Sequence, residues 1–261
     1  MDIKKFMGEE NEQPLDRLLE GGGFVGIFPK IVCVGDSLSS GEFQIKLPDN
    51  TNQYFDFYDY SWGKQMERIT GSSVRVFARG GMTAGTYRES FAHLQGYWKR
   101  EFAANAYIIA LGVNDILNRG VEIGSTDDVD MNDYRNNKNT FIGNYAYIIQ
   151  RYKEIQPEAK FFVVTIPRSS DRGEERGAKT AAAHDAICAI ADLFENVYVI
   201  DFYKYACDFD ADFREKFFSN GHMNPMGYLL IARMVTSYID YIIRHNTSEF
   251  IEVGLMGVDK P

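Results

Sequence analysis

Four short segments carry residue types suited to nucleophilic attack on a carbonyl. The first reads Ile-Val-Cys-Val-Gly-Asp-Ser-Leu from Ile31 to Leu38. An apolar run ends there in Gly35-Asp36-Ser37, where a helix can start. The Ser37 hydroxyl would then face a crevice, with backbone N–H groups behind it able to meet an anion. Asp and Ser are also ordinary helix caps, so the triplet alone is weak. The second segment, Phe77 to Thr83, places Gly80 and Gly81 after an apolar run. Glycines there permit a ligand to approach an N–H closely, or make a plain tight turn. The third, Leu111-Gly-Val-Asn-Asp115, offers the Asn114 amide as a donor to a developing oxyanion, or as an Asx turn. The fourth, Ser219 to Pro225, holds His222 in a loop flanked by glycine and proline. Histidine is the usual general base for a serine. The other three histidines, His93, His184 and His245, fall in helix-like stretches and suit packing or surface roles.

These residues need a frame. Five apolar runs, Lys30–Val34, Val74–Phe77, Tyr107–Leu111, Phe161–Ile166 and Val197–Ile200, have strand length and no polar alternation. That pattern fits strands buried on both faces of a parallel sheet. Helix-like stretches lie between them. Phe141–Ile155 sets Ile142, Tyr145, Ile148, Ile149 and Tyr152 on one face, and Ala178–Phe194 repeats the pattern. A last apolar stretch, Met226–Ile243, opens after Pro225. The alternation predicts a three-layer α/β/α sandwich around a parallel sheet. In such folds ligands bind beyond the carboxyl ends of the strands, which is where all four segments fall.

Composition narrows the function. The 261 residues are 45% hydrophobic and 14% aromatic, enough for a sizeable core and too many for a disordered chain. A net charge of −9 argues against nucleic acid and anionic membranes as partners. No run of eighteen apolar residues is evident, which predicts no membrane span. The first twenty residues carry Glu9, Glu10, Glu12 and Asp16 and no apolar signal region, so a cytoplasmic location is expected. Cys33, Cys188 and Cys207 form no metal spacing and no disulfide framework. No metal and no organic cofactor is expected. The acidic stretch Asp127-Asp128-Val129-Asp130, with Asp133 beyond, lacks the glycine and terminal Glu of a good calcium loop. Gly21 to Gly26 precedes the first strand, the wrong context for a dinucleotide fingerprint. Nothing in the sequence sets the oligomeric state.

The order of the four segments resembles that of the SGNH hydrolases, also called GDSL esterases and lipases. Gly35-Asp36-Ser37-Leu38 looks like the nucleophile block, and Gly81 looks like the glycine of the second block. Gly112-Val113-Asn114-Asp115 matches the Gly-x-Asn-Asp block, and His222 falls where the family places its base. The resemblance runs from Ile31 to about Ile243. It implies a flavodoxin-like five-stranded sheet of order 2-1-3-4-5, in a domain spanning 27–245. Residues 1–26 would be an N-terminal extension and 246–261 a tail with weak periodicity. The implied activity is ester hydrolysis through an acyl-enzyme. Ser37 would be the nucleophile, His222 the base, and the Ser37 and Gly81 N–H groups with the Asn114 amide the oxyanion hole. A small acyl group on a carbohydrate fits best, because no long apolar lid is evident. A lipase-type substrate is the alternative.

One departure stands out. Ser219 occupies the position of the family's usual Asp, three residues before the histidine. In the serine-protease template, losing the orienting Asp costs about 10⁴ in turnover. The Ser219 hydroxyl could orient His222 instead, or Asp208, Asp210 or Asp212 could reach it. A ligand-binding relative without turnover is the other reading. Phe43–Trp62, dense in aromatics, could wall the site or pack on the core, and Arg168–Lys179 reads as a solvated loop and helix start.

Overall fold

The computed structural model describes residues 3–8 and 11–258; Glu9 and Glu10 lie outside the described residues. The strands are β1 (Lys30–Gly35), β2 (Glu42–Lys46), β3 (Asn52–Asp56), β4 (Ser73–Ala78), β5 (Ala106–Ala110), β6 (Lys160–Val164), β7 (Val197–Ile200), β8 (Phe218–Ser219) and β9 (His222–Met223). The main helices are α1 (Trp62–Thr70), α2 (Phe141–Ile155), α3 (Glu174–Ala191) and α4 (Pro225–His245).

The central sheet is parallel, in the order β4-β1-β5-β6-β7. Taken as strands of that sheet alone, this is the order 2-1-3-4-5. Its strands are buried on both sides and feed two cores alternately. Ile31, Cys33, Ile108 and Phe162 pack under α1 and α4. Val32, Val34, Ile109, Phe161 and Val163 pack under α2 and α3. Period-2 alternation therefore exists, but both faces demand apolar residues, so the sequence shows continuous runs. Gly35 pairs with Ala78 on one side and Ala110 on the other. The carboxyl ends of β1, β4 and β5 are thus level, and the segments after them emerge together.

Helix α4 needs a correction to the sequence reading. By length and composition it could cross a membrane, yet 72% of its apolar window is buried within the fold. It is apolar because it covers one face of the sheet. The flanks also pack more closely than expected. Val25 and Phe28 join the core from the N-terminal side, and Phe250 and Val253 join it from the tail. Weak periodicity there reflects single anchoring residues on short turns.

The N-terminal segment is fastened by a buried cation. Arg244 of α4 donates to Glu12 through both terminal nitrogens, at 2.6 and 2.9 Å, and to Asp240 at 2.8 Å. The guanidinium holds the Glu12 carboxyl below its usual range, chiefly through these hydrogen bonds. The Arg244 side chain is 3% exposed, and removing it leaves Glu12 with only the half-exposed Arg17 and buried Asp240 with only the Phe24 N–H. Arg244→Met is expected to lower the unfolding free energy by about 3–5 kcal/mol in urea titration; a loss below about 1 kcal/mol would contradict this.

Candidate active site

Asp36 ends β1 and caps a single helical turn, Ser37–Ser40, by accepting from the Leu38 N–H at 3.0 Å. Ser37 is the first residue of that turn, where N–H groups have no intrahelical partner. Its side chain is partly exposed. After β4, Gly81 takes φ +69°, a left-handed angle that favours glycine. The Gly81 carbonyl is held by Arg119 at 2.7 Å. After β5, Asn114 donates to the Met82 carbonyl at 3.1 Å and approaches Asp36 at 3.4 Å. Its carbonyl oxygen accepts from Asn118 at 2.9 Å. The Asn114 amide thus bridges the turns that follow β1 and β4.

Two carboxylic acids lie beneath these turns. Burial pushes Asp36 up to about 7, and the neighbouring Asp115 adds to the rise. Burial likewise pushes Asp115 up to about 6, against its hydrogen bond from the Ala84 N–H at 2.9 Å.

His222 begins β9, a two-residue strand paired with β8 that sets Ser219 directly opposite it. The hairpin of β2 and β3 folds back onto this loop. Gln44 accepts from the Gly221 N–H at 2.9 Å through its side chain and from the Asn220 amide at 3.0 Å through its carbonyl. Tyr54 of β3 meets the His222 ring edge-on at 5.8 Å. Of the aromatics of this excursion, Tyr54 is the ring that contacts His222. Phe43, Phe55, Phe57 and Tyr60 contact one another, and Phe43 also meets Tyr228 on α4. The segment both packs on the core and reaches the site.

None of the orienting groups considered from sequence reaches His222. Ser219 is exposed, and its hydroxyl does not bond the ring; the buried His222 Nδ1 has no hydrogen-bond partner among the described residues. A β-bridge sends paired backbones together without aiming a short hydroxyl at an imidazole. Asp208 accepts from the Ser170 N–H, Asp210 caps the helix Ala211–Phe217, and Asp212 pairs with Lys216. Asp201 caps a helical turn and pairs with His184.

The acid beside His222 is one that sequence reasoning missed. Glu42 Oε1 lies 2.9 Å from His222 Nε2, with the two side chains only 11% and 14% exposed. Its other oxygen lies against Gly80, where a Cβ would come within 2.0 Å of it. Glu42 sits five residues after Ser37 and alternates with nothing; no periodic signal marks it. Ser37 and His222 themselves make no hydrogen bond in this arrangement, and the Asn114 amide is turned inward. Such contacts often tighten only around substrate.

An apolar cavity of about 80 Å³ lies beside the turn, under α4. It is lined by Asp36 and Leu38, which flank Ser37, by Val113 beside Asn114, and by Met223 beside His222. Phe209 and Val235 close it.

The sequence profile of the GDSL-like lipase/acylhydrolase family matches residues 33–230. A search of curated proteins finds no match. Among solved structures, the chain is similar to a family two carbohydrate esterase from Clostridium thermocellum in complex with cellohexaose. That match has 16% identity and a TM-score of 0.56, covering 91% of this chain and 66% of the other. It is also similar to Est24, a carbohydrate acetylesterase from Sinorhizobium meliloti, at 14% identity and a TM-score of 0.53, covering 82% and 99%. The psychrotrophic esterase EstA from Pseudoalteromonas sp., inhibited by monoethylphosphonate, matches at 14% and 0.54, covering 82% and 98%. At these identities the structures speak for the fold. The family profile covers most of the chain, through the nucleophile turn, the Asn114 turn and the His222 loop: this protein belongs to the GDSL-like lipase/acylhydrolase family.

Proposed function

We propose that this protein is a serine esterase that removes a short acyl group, acetyl in the simplest case, from a carbohydrate or another small hydroxyl-bearing molecule. The carrying observation is the small apolar cavity flanked by the neighbours of Ser37, Asn114 and His222. At about 80 Å³ it is roughly half the ~150 Å³ cavity that holds a benzene, so it suits two to four carbons and no long chain.

In this reading Ser37 Oγ attacks the ester carbonyl and its proton passes to His222. The carbonyl π electrons move to oxygen, where the Ser37 and Gly81 N–H groups and the Asn114 amide hold the charge. Collapse breaks the bond to the alcohol, which takes the proton from His222. Water then repeats the sequence and frees the acid and Ser37. Tyr54, about half exposed beside His222, offers a face for a sugar ring in the leaving group. The carbohydrate esterases among the structural neighbours agree with that substrate class without establishing it.

The test is an acyl-length series of p-nitrophenyl esters beside acetylated oligosaccharides. Turnover should peak at two to four carbons and fall at eight. Phe209→Ala should raise relative kcat/KM for a six-carbon ester about tenfold by enlarging the cavity. A wild-type optimum at eight or more carbons would overturn the short-acyl reading.

A further inference from the structure

We infer that Glu42, at the start of β2 just after the nucleophile's turn, is the carboxylate that positions His222 and meets the charge the ring gains on accepting a proton, in place of the missing Asp. The inference rests on the esterase reading and deepens it. Glu42 Oε1 stands 2.9 Å from His222 Nε2 but off the direction in which that nitrogen's hydrogen points. Glu42 therefore stands beside the axis of that nitrogen and does not occupy it. The carboxylate itself accepts no hydrogen bond among the described residues, although Glu42 is 8% exposed and near Asp36.

Burying a carboxylate without hydrogen bonds, beside another acid, is costly unless an opposite charge meets it. The imidazolium formed when His222 accepts the Ser37 proton is that charge. It appears on the way to the tetrahedral intermediate and disappears when the alcohol leaves. A contact that strengthens only then lowers the barrier without tightening substrate binding. The surroundings keep Glu42 in place. Its backbone carbonyl accepts from the buried Tyr228 hydroxyl at 2.7 Å, and Gly80 leaves room for its carboxylate. Gln44, two residues on, ties the same strand to the His222 loop. Glu42 thus acts through His222, as a positioning residue.

The test compares wild type, Glu42→Gln and Glu42→Gln/Ser219→Asp on p-nitrophenyl acetate, with thermal melting as a check on folding. Glu42→Gln keeps the shape and the Tyr228 bond and removes the charge. It should lower kcat about 10²- to 10³-fold, less than the ~10⁴ of an aligned orienting Asp, with KM within about twofold. Ser219→Asp, which puts an acid on the residue whose backbone pairs with that of His222, should return at least tenfold of kcat. A Glu42→Gln kcat within threefold of wild type, or a loss that Ser219→Asp does not relieve, overturns the assignment of Glu42 alone. Absence of Ser37-dependent turnover in the wild type overturns it together with the esterase reading.

Discussion

Ser37→Ala and His222→Ala each lower kcat by about 10⁴- to 10⁶-fold on a short-chain ester, and the double variant is no worse than either single one. In the proposed mechanism the two groups perform one act. Without the hydroxyl there is no acyl-enzyme, and without the imidazole the hydroxyl keeps its proton. Removing the second member therefore removes nothing further. Single-turnover kinetics on the three variants checks this. Multiplicative losses in the double variant would show that Ser37 and His222 act separately. Thermal melting separates the effect from folding, since the Ser37 side chain is partly exposed and bonds no neighbour.

Asn114→Ala gives the second largest effect, a fall in kcat of about 10²- to 10³-fold with little change in KM. Its amide nitrogen bridges Met82 and Asp36, the residue before Ser37, and in the proposed mechanism it turns from them to an oxyanion formed at Ser37. A ground-state ester carbonyl carries less charge than the tetrahedral oxygen, so the donor matters most in the transition state. Michaelis–Menten analysis of the variant tests this. A loss confined to KM would make Asn114 a substrate-binding residue instead.

Much of this arrangement is visible in the sequence. The five strands are legible because both faces of the sheet are covered, and that burial writes continuous apolar runs from Lys30 to Ile200. The candidate site is legible where one residue type at a strand end is enough: Ser37 after Gly35-Asp36, Asn114 before Asp115, His222 in its loop. Glu42 is not legible, because its role depends on contacts about 180 positions away. It meets His222 only because the β2–β3 hairpin closes on the His222 loop through Gln44 and Gly221. Reading for an acid near His222 in sequence leads instead to Ser219 and to Asp208, Asp210 and Asp212, whose side chains serve the surface and helix caps. Helix α4 misleads for a related reason. Its apolar length is a demand of the core, and length with hydropathy does not distinguish a core from a bilayer.

The central claim is that Ser37 is a nucleophile activated by His222, and covalent capture tests it most directly. A fluorophosphonate forms a phosphorus–oxygen bond to an activated serine with loss of fluoride, the serine proton passing to the base. Intact-mass analysis of the labelled protein, followed by peptide mapping, should show one adduct, carried on Ser37. The rate should fall at least a hundredfold in His222→Ala and the adduct should vanish in Ser37→Ala. A wild-type protein that takes no label, or takes it on another serine, would contradict the account and favour a pocket that binds without reacting.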